Sequence, residues 1–156
     1  MEGMNEKKIS VSRVIDAPAA DIFDLLSNPE RHREFDGSGM VRSDEKSNRV
    51  QALGDVFAMN MHAEAMGGDY TMYNHVTGFD QNRLISWRPA EEHRKDSPAG
   101  WEWTYVLDSQ GSDSTEVTLT YSWENLTDES IEHLFPAISE KQLEQSLSQL
   151  AAAVAG

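Results

Sequence analysis

The stretch GWEWTYVL, residues 100–107, sets Trp101, Trp103 and Tyr105 at every second position. In an extended strand that spacing sends all three side chains to one face of a sheet. Two indoles and a phenol in a row make a broad, weakly polar surface, which either fills a core or walls a cavity for an apolar or aromatic molecule. The segment DVFAMNMH adds Phe57, Met59 and Met61 on one alternation, and YTMYNHVTGF adds Met72, Asn74 and Val76. Methionine is unbranched and polarizable, suited both to an adaptable pocket lining and to plain gap filling. Asn74 is the polar residue on this apolar face, so it must meet a backbone neighbour or a polar atom of something bound.

Ionic and metal chemistry has weaker carriers. His62 and Glu64 have the i, i+2 spacing of two ligands on one strand face, and His75 stands on the following strand. The alternation that turns Met61 inward turns His62 outward, and no third ligand sits in a tight motif, so no metal is expected. No G-x-S-x-G, phosphate loop or dinucleotide fingerprint occurs, and no organic cofactor is expected. General acid–base catalysis would need a pocket carboxylate such as Glu102 or Asp69 to turn inward. Arg13 alternates with Val11 and Ile15, as an inward anion partner or as a strand-end charge reaching water.

The elements that position these residues can be read from hydrophobic period. KKISVSRVID is a β-branched strand that runs into APAADIFDLLSN, where Pro18 suits the first turn of a helix and Ile22, Leu25 and Leu26 share a face. Asn28-Pro29 stops that helix, and ERHREFDGSG reads as a short second helical turn and a Gly-rich loop. A meander follows as far as Asn125, turning at Gly67-Gly68 and at SQGSD, and the total is about seven strands. Ser139 with Gln142 three residues on forms a capping box, and Leu143, Leu147, Leu150, Ala151 and Val154 then recur at helical spacing to about Ala155.

Register follows from keeping apolar residues together. Trp103 opposite Tyr121 puts Trp101 against Trp123 and Tyr105 against Leu119, with Glu102, Thr104, Thr118, Thr120 and Ser122 on the other side. Across Gly67-Gly68 the same exercise pairs Met61 with Met72, Met59 with Asn74 and Phe57 with Val76, and Ile85 and Trp87 extend that face.

Composition narrows the function classes. A chain of 156 residues suits one domain over 1–156. Its 13 Lys+Arg against 27 Asp+Glu give a formal charge of -14, which repels phosphate backbones and anionic lipid surfaces, so neither nucleic acid nor membrane insertion is expected. Cysteine is absent, which removes disulfides, thiolate nucleophiles and thiolate-ligated metals. The opening MEGMNEKKIS has no apolar leader, and a cytoplasmic protein is the expectation.

The order strand, helix pair, long antiparallel meander and C-terminal helix resembles the START-like or SRPBCC superfamily. The residues that carry the likeness are RVIDAPAADIFDLLSNPERHREFD, GDVFAMNMH, VTGFDQNRLISW, GWEWTYVL with STEVTLTYSW, and SEKQLEQSLSQLAAAV. Within it the chain is most similar to bacterial polyketide cyclase/dehydrase-like proteins. The resemblance implies an α+β helix-grip fold, in which a curved antiparallel sheet wraps around the last helix. It also implies a cavity between sheet and helix that holds lipid- or polyketide-like molecules. On that basis the ligand-binding residues are Met59, Met61, Met72, Asn74, Trp87, Trp101, Trp103, Tyr105 and Tyr121 on the sheet, with Leu143 and Leu147 as the lid. The charged loop EEHRKDSPAG would lie near the rim, as a solvated connection or a gate. Three functions compete: binding of a small apolar ligand by a monomer or homodimer, polyketide cyclisation or dehydration in the same cavity, and a co-chaperone-like interaction.

Overall fold

The structure, a computed structural model, describes residues 7–44 and 48–155; the first six residues of the leader reading lie outside that range. Among the described residues seven strands form one antiparallel sheet in the order β1-β7-β6-β5-β4-β3-β2. They are β1 (Lys8–Ile15), β2 (Val41–Asp44), β3 (Val56–Ala63), β4 (Gly68–Asp80), β5 (Leu84–Glu91), β6 (Glu102–Gly111) and β7 (Ser114–Ser122). Two α-helices complete it, α1 (Ala19–Leu26) and α2 (Glu140–Ala155). This is the α+β helix-grip architecture that the family resemblance implies.

Alternation makes the sheet two-faced. On β7, Thr115, Val117, Leu119 and Tyr121 are buried, and the residues between them look outward. The outer face carries hydroxyl pairs: Ser10 Oγ meets Thr120 Oγ1 at 2.8 Å and Ser12 Oγ meets Thr118 Oγ1 at 2.8 Å. As expected, Trp103 stands opposite Tyr121 and Tyr105 opposite Leu119. The ladder ends there, because β6 begins at Glu102 and β7 stops at Ser122. Trp101 therefore does not pair with Trp123; its ring lies 5.4 Å from that of Phe135.

The β3–β4 hairpin differs from the expected register by two residues. Met59 faces Met72, Phe57 faces Asn74 and Met61 faces Tyr70. The chain reverses through a 3₁₀ turn at Glu64–Met66, with Gly67 at φ 86°, rather than at Gly67-Gly68 itself. A slip of two preserves which side chains share a face.

α1 buries Ile22, Phe23, Leu25 and Leu26. At the start of α2 the Ser139 backbone N–H donates to Gln142 Oε1 at 2.9 Å, and the Gln142 N–H donates to Ser139 Oγ at 3.2 Å. Leu143, Leu147 and Leu150 are fully buried, and α2 packs on β1, β7 and α1. Among the described residues no helix is long and apolar enough to cross a membrane.

Candidate ligand cavity

Because α2 lies over the β1–β7 end of the sheet, the inner face of β3 to β6 needs another cover. Two non-regular segments provide it. One is a 3₁₀ helix at Pro29–Glu34 with the loop after it; the other is a 3₁₀ helix at Glu129–Leu134 running into Ile138. Between these segments and the sheet lies a cavity of about 510 Å³, within the roughly 300–1,000 Å³ of small-molecule sites.

The sheet wall of this cavity includes Met59, Met61, Met72, Asn74, Trp87, Trp101, Trp103, Tyr105 and Tyr121. Trp103 stacks on Tyr121 with ring centroids 4.5 Å apart, and Trp87 stacks on Tyr105 at 5.9 Å. Leu143 and Leu147 do not line it. They are buried in the core beneath α2, whose contribution to the lining is Ser146. The expected lid is instead formed by Ile131, Leu134, Phe135 and Ile138. Leu134 and Met66 line the cavity yet are 56% and 46% exposed, which marks its mouth.

The 3₁₀ helix at Pro29–Glu34 brings in a residue that the strand-based reading missed. Its buried residues, Pro29 and His32, together with buried Phe35, recur every third position, the 3₁₀ period. The His32 ring rests on Phe35, Phe57 and Trp87, with centroids 5.0, 5.2 and 5.3 Å away. His32 Nε2 lies 2.8 Å from the Leu26 carbonyl oxygen. A carbonyl only accepts, so Nε2 carries the proton and Nδ1 presents a lone pair. Burial pushes the His32 pKa down to about 4 against the opposing pull of the Leu26 carbonyl and, less, of Asp36 and Asp44, so the ring is neutral at pH 7.

The loop after Phe35 is tied down at both ends. The Asp36 carboxylate accepts from the Ser38 hydroxyl at 2.8 Å and the Val41 N–H at 3.0 Å. The Gly37 N–H donates to Ser146 Oγ at 2.8 Å, and a Cβ at Gly37 would stand 2.3 Å from the Gln142 carbonyl oxygen. Glycine is therefore what lets the loop reach α2.

Three polar groups on the wall are buried without a protein partner for a reactive edge. Asn74 is 5% exposed and Tyr105 4%. Neither side chain makes a hydrogen bond among the described residues, and neither does His32 Nδ1. Burial, with Asp36 nearby, raises the Tyr105 phenol well above its ordinary range, so it remains an O–H donor. Burial likewise raises Tyr121, opposed by the Ala137 backbone.

Other residues considered from sequence lie elsewhere. Glu102 faces outward and accepts from Thr77 Oγ1 at 2.6 Å and Arg88 Nε at 3.2 Å. Asp69 pairs with His62 at 2.7 Å outside the cavity, and the His75 Nε2–H donates to the Lys95 carbonyl at 2.6 Å. Among the described residues no three His, Cys, Asp or Glu gather as metal ligands. Arg13 stands opposite Val117 on the edge strand β1 and is exposed. The charged loop is fastened to the segment before the second 3₁₀ helix, the Thr127 N–H donating to the Ala99 carbonyl at 2.7 Å.

A model of the family described as Activator of Hsp90 ATPase homolog 1-like protein matches residues 16–155. The chain belongs to this AHSA1-like family. The family lies within the SRPBCC helix-grip superfamily. An uncharacterized protein of Mycobacterium tuberculosis, Rv0088, is 32% identical over 116 residues, 74% of this chain and 47% of the relative. This AHSA1-like chain thus spans about half the length of the curated relatives it matches. Among solved structures, Ms6760 from Mycobacterium smegmatis is similar at a TM-score of 0.69 and 14% identity, over 97% of this chain and 92% of that one. The Zhui aromatase/cyclase from Streptomyces sp. R1128 is similar at a TM-score of 0.65 and 13% identity, over 97% and 94%. At such identities the likeness establishes the fold of this AHSA1-like chain alone.

Proposed function

We propose that this protein binds a small apolar or aromatic molecule in the cavity between the sheet and the segments that cover it. The observation that carries the reading is the cavity itself, about 510 Å³ of space walled by indole, phenol and thioether side chains rather than filled by them. A core made only for stability would close such space, because unfilled volume costs packing energy. The stacked indole and phenol rings of the wall favour a planar, ring-bearing ligand. Native mass spectrometry of freshly purified protein, followed by thermal melting with naphthalene-sized probes, tests it. A ligand at about 100 times its dissociation constant should add roughly 2.7 kcal/mol. No retained molecule and no probe that raises the melting temperature would refute it.

The family match favours a second reading, an interaction with a chaperone ATPase through the protein surface. Purified Hsp90 and its ATP turnover provide the assay. Stimulation by this chain that a cavity-filling probe leaves unchanged would favour that reading over ligand binding.

A further inference from the structure

The cavity has exposed apolar residues at its mouth, and among its polar lining residues three cluster at low exposure. Met66 and Leu134 stand exposed at the opening. His32, Asn74 and Tyr105 line the same space at 5% exposure or less. They are neighbours: the His32 ring sits on Phe57 and Trp87, Phe57 is the ladder partner of Asn74, and Trp87 stacks on Tyr105. Each offers a group that no protein atom among the described residues engages. Among those residues the side-chain polar atom sealed away without a partner is Gln149 Oε1, so the free edges of these three open onto the cavity. Three polar groups without a protein partner among the described residues, all opening onto one space, point to a ligand that satisfies them.

We propose that His32, Asn74 and Tyr105 form a recognition cluster that selects an uncharged ligand bearing a hydroxyl or carbonyl group, against both a bare hydrocarbon and a carboxylate. The proposal rests on the ligand-binding reading above. His32 Nδ1 is an acceptor and calls for a ligand O–H. The Tyr105 phenol is a donor and calls for a ligand oxygen. Asn74 offers both, so either orientation of its amide serves. A carboxylate is disfavoured by the rest of the lining, in which Asp36 and Glu91 stand and, among the described residues, no Lys or Arg does. Burying an unpaired anion there would be costly.

The test compares three probes of one ring system by titration calorimetry: naphthalene, 1-naphthol and 1-naphthoate. The expected order is 1-naphthol tighter than naphthalene by at least about tenfold, from one or two added hydrogen bonds to otherwise unpaired groups, with 1-naphthoate weakest. Tyr105→Phe and His32→Phe should each shrink the ratio of 1-naphthol to naphthalene affinity. In the second, phenylalanine keeps a ring against Phe35, Phe57 and Trp87 and removes the Nδ1 acceptor together with the Nε2–H donor. Asn74→Leu serves as the third variant, and the wild-type ratio decides the matter should any variant fail to fold. Equal affinity for naphthalene and 1-naphthol would overturn the proposal and leave the cavity reading intact, as would naphthoate binding tightest. Failure of all three probes would overturn both.

Discussion

Acidification from pH 7 towards pH 4 should remove a large, assignable part of this protein's stability through His32. In the folded state burial holds its pKa down to about 4, against 6.5 for an ordinary histidine. Between those values the unfolded chain binds the proton and the folded chain does not, so stability rises with pH and is lost as pH falls from 6.5 to 4. A gap of about 2.5 units at roughly 1.4 kcal/mol each amounts to about 3 kcal/mol. The ring is 5% exposed, so solvent screening reduces this only in part. The depressed carboxylates, Glu34 and Asp128, act at lower pH, below the ordinary carboxylate range. Relief of repulsion in a chain of formal charge -14 acts in the opposite direction. Comparison with His32→Gln cancels both, together with the other four of the five histidines. Urea unfolding at pH 7, 6, 5 and 4.5 should show the stability gap between wild type and variant narrowing by most of about 3 kcal/mol. Parallel loss of stability in the two proteins would refute the buried, neutral assignment of His32.

Gly37→Ala should destabilise by about 1–3 kcal/mol, because its Cβ would press on backbone atoms of α2 2.3 and 2.7 Å away; an unchanged melting temperature would contradict the close approach. Ser139→Ala should cost about 1 kcal/mol by urea unfolding through loss of the capping box. Thr115→Val strands the Ala17 carbonyl, to which Thr115 Oγ1 donates at 2.8 Å, and should cost about 1–3 kcal/mol despite the matched shape.

Parts of the sheet were legible in the sequence because its period is uncompromised. From Trp103 to Tyr105 and from Leu119 to Tyr121 apolar and polar residues alternate without a break, so one register satisfies both faces. In β3 and β4 the same rule fixes the face but tolerates a slip of two, and the turn at Glu64–Met66 uses that freedom. The covering segments were hidden for a different reason. His32 and Phe35 repeat every three residues among the charges of ERHREFD, and Ile131, Leu134 and Ile138 lie in a stretch too short and irregular to carry a helical or strand period. Leu143 and Leu147 look from sequence like a lid because they form the apolar stripe of α2. Which part of the sheet that stripe covers is decided by the packing of α2 on β1 and β7, which no local pattern encodes.

The central claim, that a ring-bearing molecule occupies this cavity, is tested most directly by the indole N–H signals of a nitrogen-15-labelled sample. The chain has four tryptophans; Trp87, Trp101 and Trp103 line the cavity, and Trp123 is buried outside it. Titration with 1-naphthol should shift the three lining signals, assigned by single Trp→Phe replacements, and move Trp123 least. No shift at saturating probe, or a shift confined to Trp123, would contradict the account.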